Sequence, residues 1–193
     1  MKSKINKHQK NSFTTVSKTI KQFSFALVIA LITTLSSCSS SGSGGSAVPA
    51  TGSFVKGKVA GSDFLSQGSF TAGGLNSGNL ALQGTTATGK SIDIQLYAVD
   101  GTLETGTYNV NSTNADDSHV GSLTLVEVNT STLTSTTYSS MNCDNANGTI
   151  TITFIDATKV EGTFSFTGKE VKADETCTGT TKSVTNGSFR LVL

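Results

Sequence analysis

Tryptophan is absent from this sequence, proline occurs once, and no apolar run reaches the roughly 20 residues that a helix needs to cross a bilayer. A permanent transmembrane helix is therefore not expected. Histidine is nearly absent too: His8 lies in the leader and His119 is the only one beyond it. That scarcity removes the usual zinc ligand sets and leaves a Ser-His-Asp triad a single candidate base, with no Gly-x-Ser-x-Gly elbow to present a nucleophile. Acidic residues are missing from positions 1–37, which hold six lysines, so the rest of the chain carries eight basic and 13 acidic residues, net −5. A domain of that sign is a poor partner for nucleic acid. Sustained helical periodicity is absent as well, and 31 Thr and 27 Ser in 193 residues favour pleated strands with solvated faces over helices.

What is present begins with an address. Lys2, Lys4, Lys7, Lys10, Lys18 and Lys21 form a basic leader ahead of an apolar run from Phe23 to Leu35, interrupted only by Ser24, Thr33 and Thr34. This order reads as a secretory signal peptide. Leu35-Ser36-Ser37-Cys38 then resembles the lipobox of bacterial lipoproteins, a branched apolar residue and two small ones before the cysteine. The resemblance implies cleavage before Cys38, a thioether-linked diacylglycerol on its thiol and an acyl chain such as palmitate on its new amine. Several buried chains anchor a protein stably where one holds it only marginally. Ser39 to Ser46 is Ser and Gly only, a flexible tether, and Pro49 lies near its end. The expected organisation is a signal peptide over 1–37, a lipidated cysteine and tether over 38–52, and one domain over 53–193.

From Ser53 onward a period-two pattern recurs between turn residues, which predicts an all-β domain. About ten short strands are expected: 54–59, 68–72, 79–83, 91–97, 106–110, 122–128, 132–138, 149–155, 160–167 and 188–193. The clearest alternate Ile92, Ile94 and Leu96 with Ser91, Asp93 and Gln95, and Ile150, Ile152 and Phe154 with Thr149, Thr151 and Thr153. Short polar connections imply antiparallel pairing, hence a β-sandwich or a flattened β-barrel. Asp100-Gly101, Asn147-Gly148 and Asn186-Gly187 tolerate positive φ and mark turns or bulges.

With Cys38 assigned to lipid, Cys143 and Cys177 remain as an even pair in an oxidising compartment, at the open end of the hairpin formed by 149–155 and 160–167. They are expected to form a disulfide. Chemistry is sparser. Asn114, Asp116, Asp117 and His119 match no metal-loop spacing, and Asp144, Asn145, Asn147 and Gly148 read as a turn with Cys143 where a calcium loop needs its first Asp, so neither a metal site nor a cofactor is expected. Asp93, Glu104, Glu127 and Glu161 are isolated acids that would have to converge in space to act as a carboxylate pair. Tyr97, Tyr108 and Tyr138 are the candidate ligand-binding aromatics. Thr130, Thr132, Thr134 and Thr136, with Thr149, Thr151 and Thr153, are the candidate hydroxyl ladders. An enzyme is not expected.

Phe54-Val55-Lys56-Gly57-Lys58-Val59, Thr149-Ile150-Thr151-Ile152-Thr153, Val160-Glu161-Gly162-Thr163-Phe164-Ser165-Phe166 and Thr185-Asn186-Gly187-Ser188-Phe189, behind a lipobox leader, together resemble a lipoprotein family of the Bacteroidota, domain of unknown function 6252. The resemblance spans Phe54 to Leu193 and implies an envelope location and a strand framework, with no catalytic residue to carry over. The functional expectation is an outer-membrane lipoprotein whose β domain binds a partner or builds envelope structure, its partners being the membrane through Cys38 and a glycan or envelope protein. The alternatives are a surface glycan-binding or adhesion module and a carrier of small apolar ligands. No acidic run follows Cys38, so the face of the outer membrane that the domain occupies stays open.

Overall fold

The computed structural model describes residues 48–112, 118–174 and 176–193. The leader, Cys38 and the Ser/Gly tether lie outside the described residues, as do Asn114, Asp116 and Asp117. Everything below concerns the unit from Gly44 to Leu193. Among the described residues no helix is long and apolar enough to cross a membrane.

Among the described residues eleven strands follow one another: β1 (Phe54–Val59), β2 (Ser62–Gln67), β3 (Thr71–Asn76), β4 (Asn79–Thr85), β5 (Ser91–Ala98), β6 (Gly106–Asn109), β7 (His119–Asn129), β8 (Thr134–Ser139), β9 (Asn147–Ile155), β10 (Lys159–Glu170) and β11 (Thr181–Val192). All pair antiparallel in one open sheet of order β2-β1-β11-β10-β8-β7-β5-β4-β3, with β9 on β10 and β6 on β9. The expected all-β antiparallel class is therefore what the chain adopts. The long strand β10 is the junction, pairing with β9 from Val160 to Thr167 and with β8 only at Lys169 and Glu170. Beyond that junction the sheet turns over, and the inward faces of its two halves enclose a single core in the manner of a sandwich.

The core follows from the period-two pattern. Ile92, Ile94 and Leu96 on β5 face Leu80 and Leu82 on β4 and Leu123 and Leu125 on β7, all buried. From the other half come Val55, Val160, Phe164, Phe166, Val184, Phe189 and Leu191, with Ile150 and Ile152. The halves approach closely at Gly84, where a Cβ would stand 2.6 Å from the Cβ of Val55, so no larger residue fits between β4 and β1. Ser66 closes the open edge. Its buried hydroxyl donates to the Phe70 carbonyl at 2.7 Å and accepts from the Thr85 amide at 2.9 Å, which binds β2 to β4 where no backbone ladder joins them.

Local expectations fail in instructive places. Residues 68–72 do not form a strand: Gly68–Phe70 is a 3-10 turn, with Gly68 at φ +59°, and β3 starts only at Thr71. The pattern of Ser62-Asp63-Phe64-Leu65-Ser66-Gln67 does not announce β2, because its buried face pairs Phe64 with the polar Ser66 and its one aliphatic residue, Leu65, is on the other face. Asn147-Gly148 is neither turn nor bulge. It lies inside β9, where Gly148 leaves room for Val110, Leu123 and Ser140 to approach. Asn186, at φ +53°, is a bulge within β11, coinciding with register shifts against both β10 and β1.

Candidate functional site

Cys143 and Cys177 are disulfide-bonded, with a Cα–Cα distance of 6.0 Å, beside the open end of the β9–β10 hairpin. The bond ties together two loops that Glu170 also touches, one through its carboxylate and the other through its backbone carbonyl. Glu170, at the end of β10, accepts the Thr180 amide at 3.0 Å and the Thr180 hydroxyl at 2.9 Å, and pairs with Lys172 at 2.5 Å. Its carbonyl receives the Asn142 side-chain amide at 3.1 Å. The Lys172 ammonium, then the Thr180 donors, hold its carboxyl down at about 2. The carboxylate's partners, Lys172 and Thr180, are near in sequence, whereas Asn142 reaches its carbonyl from the loop of the other cysteine.

The three tyrosines do not assemble. Tyr97 is 44% exposed on the outer face of β5, and Tyr138 is 6% exposed on β8 with its ring in the core. Tyr108, on β6, is half-buried, donates to the Glu104 carbonyl at 2.6 Å and stacks on His119 with ring centroids 4.6 Å apart. The three do not form one exposed patch: Tyr97 points outward, Tyr108 packs partly buried against the core and Tyr138 lies within it. His119 also hydrogen-bonds Ser118 at 2.7 Å, and among the described residues no three His, Cys, Asp or Glu gather to hold a metal.

The acids stay apart as well. Asp93 lies on the outer face of β5, where burial pushes its carboxyl up to about 6 against a hydrogen bond from Gln83. Glu127 faces the opposite side of the same pair of strands, between Lys90 at 3.0 Å and Lys182. Burial raises its carboxyl, but those two ammonium groups outweigh burial and leave it below the usual range. Lys182 also lies 5.2 Å from the Tyr138 ring centroid, so this cluster caps one end of the core. Glu161 pairs with Arg190 at 2.6 Å and Lys159 at 3.2 Å on the other half of the sheet. Each of these two glutamates thus has two cations and serves as an ion-pair partner. Such half-exposed pairs contribute modestly to stability, usually under about 1 kcal/mol each.

One hydroxyl row crosses four strands. Thr107, Thr151, Thr163 and Ser188 stand in register across β6, β9, β10 and β11, with Thr107 and Thr151 hydrogen-bonded at 3.0 Å. Beside them Thr149, Ser165 and Asn186 border an open depression of about 450 Å³. The other row runs from a turn into a strand: Thr134 and Thr136 on β8 border, with Thr130 in the preceding turn and with Lys90 and Glu127, a second open depression of about 500 Å³, and the Thr132 and Thr134 hydroxyls are hydrogen-bonded at 2.8 Å. The described surface thus offers hydrogen-bonding groups for a polar ligand.

The model of the family named Domain of unknown function (DUF6252) matches residues 53–192. The chain belongs to that family. The match begins one residue before β1 and ends with β11, so the DUF6252 domain is the whole β unit, disulfide included. Neither a curated protein nor a solved structure matches the chain.

Proposed function

We propose that this DUF6252 protein is a lipid-anchored lipoprotein of the bacterial outer membrane whose β domain acts by binding or as envelope structure, without catalysis. The observation that carries the reading is Leu35-Ser36-Ser37-Cys38 behind a lysine-rich leader and an apolar run. The Cys143–Cys177 disulfide supports it, because such bonds persist in oxidising compartments outside the cytoplasm. The dispersal of Asp93, Glu127 and Glu161 over three surfaces supports a non-catalytic role. The test is Cys38→Ala in cells that process lipoproteins. Palmitate labelling is expected to vanish and the protein to move from the membrane to the soluble envelope fraction; a variant that stays with the membrane overturns the reading.

The alternative, a surface glycan-binding or adhesion module, draws on the in-register Thr107, Thr151, Thr163 and Ser188 face rather than on the scattered tyrosines. A glycan array silent at millimolar affinity counts against it. A carrier of small apolar ligands has less support, since Phe64, Phe189, Ile94 and Leu123 are among the side chains that fill the interior.

A further inference from the structure

Four large apolar side chains that the core does not use gather where the domain begins. Val48 is 38% exposed, Phe154 39%, Val192 48% and Leu193 47%. Their proximity follows from bonds. Val192 pairs with Lys159 across β10 and β11, and its amide donates to the Ser53 hydroxyl at 3.0 Å. The Leu193 amide donates to the Thr158 carbonyl at 2.8 Å, and the Lys159 ammonium lies 4.6 Å from the Phe154 ring centroid. Arg190 fixes the entering chain to this corner, donating at 3.2 Å to the carbonyls of both Pro49 and Ala50.

Val48 and Leu193 are thus held at one corner of the domain, with an aromatic ring, two aliphatic side chains of β11 and its end, and the long stems of Lys159 and Arg190. The aromatic and aliphatic groups suit the headgroup boundary of a bilayer, while Lys159 and Arg190 are both held by Glu161, so the apolar groups carry the contact. Chain length selects the occupant. Nine residues lie between Cys38 and Val48, and even fully extended the two are at most about 36 Å apart. A lipid on Cys38 therefore keeps this corner, more than any other part of the domain, next to the membrane.

We infer that the corner formed by Val48, Phe154, Lys159, Val192 and Leu193 is a lipid-contacting surface on which the domain rests beside its anchor. The inference rests on the lipid-anchor reading of Cys38. Because the chain has no tryptophan, a single introduced indole reports its own surroundings. The full-length protein, purified from membranes, is reconstituted into phosphatidylethanolamine–phosphatidylglycerol vesicles with brominated acyl chains. Phe154→Trp and Leu193→Trp are compared with Tyr97→Trp, which lies on the outer face of the other half of the sheet. The corner indoles are expected to be quenched at least about two-fold more than the Trp at 97 and to emit at shorter wavelength. Equal quenching at all three positions, in protein that floats with the vesicles, overturns the surface while leaving the anchor intact. A blue shift that follows protein concentration rather than brominated lipid shows a second copy covering the corner and also overturns it. Protein that fails to float removes the anchor and this inference with it.

Discussion

Replacing Ser66 by Ala should destabilise the domain far beyond what one hydroxyl in a serine-rich chain suggests. The Ser66 hydroxyl has one proton, which goes to the Phe70 carbonyl at 2.7 Å, so at 2.8 Å the Thr71 hydroxyl must donate to Ser66, as the Thr85 amide does at 2.9 Å. Ala leaves a backbone donor on β4 and a backbone acceptor at Phe70 without their partner. Ser66 itself is buried, with its Cβ packed beside Gly84 and Val55, while the two backbone groups it serves are part-buried. Each buried group left unpaired costs about 1–3 kcal/mol, and the hydroxyl's own desolvation is recovered, so the net loss should be about 2–4 kcal/mol. Urea unfolding followed by far-UV circular dichroism measures it, with Ser62→Ala, exposed on the same strand, as the control expected to stay within about 0.5 kcal/mol. A Ser66→Ala loss below about 1 kcal/mol, or no larger than that of Ser62→Ala, would refute the argument that this hydroxyl holds the open edges together. A loss accompanied by a smaller m value would show instead that β2 detaches before the remainder unfolds.

The paired change Cys143→Ser with Cys177→Ser releases a 34-residue separation and should cost about 3–4 kcal/mol in the chain-entropy model; a denaturation midpoint unmoved by reductant contradicts this. Asp93 titrates in the opposite sense to the paired glutamates. Its folded-state value near 6 exceeds the ordinary 3.8, so its ionised form costs stability above pH 6 and that cost fades as the pH falls toward 3.8. Asp93→Asn should therefore stabilise by about 1–3 kcal/mol at neutral pH and by almost nothing near pH 4. The carboxyls of Glu127, Glu161 and Glu170 are all lowered, so their contribution is present above 4.5 and is lost as the pH falls further. Stability of the parent protein should accordingly peak between about pH 4.5 and 6, and urea midpoints still rising from pH 6 to 8 would contradict that balance. Gly162→Ala would place a Cβ 2.4 Å from the Thr151 carbonyl oxygen and 2.6 Å from the Phe189 ring, and should cost about 1–3 kcal/mol; a neutral result would mean that β10 can shift away from β9 and β11.

Phe189 over Gly162 and Phe164 over Gly187 show how far the sequence could be read. The motifs that carry these four residues identify strands and an aromatic face, because alternation assigns each side chain to a side whatever its partner. Which glycine lies beneath which ring depends on register between strands, and here the bulge at Asn186 sets part of it. The disulfide was legible for a related reason. Once β9 and β10 are seen as a hairpin, its ends must meet, and both cysteines lie just beyond them. Strand β2 was not legible, since its order comes from pairing with β1 along its whole length and not from its own composition.

The sequence by itself determined the all-β class, most strand positions, the apolar faces and the cysteine pairing, and it contains the whole of the proposed address from Lys2 to Cys38. These are local properties: period-two alternation, turn residues, and the order of charge and hydrophobicity along the chain. Tertiary structure alone decided that Tyr97, Tyr108 and Tyr138 part company, that Glu170 touches both disulfide loops and that Ser66 spans the sheet edges. It also decided that Val48, Phe154, Val192 and Leu193 share one corner. Most of these join residues far apart in the chain, so they depend on which strands pair and on how the faces pack, which no single segment encodes.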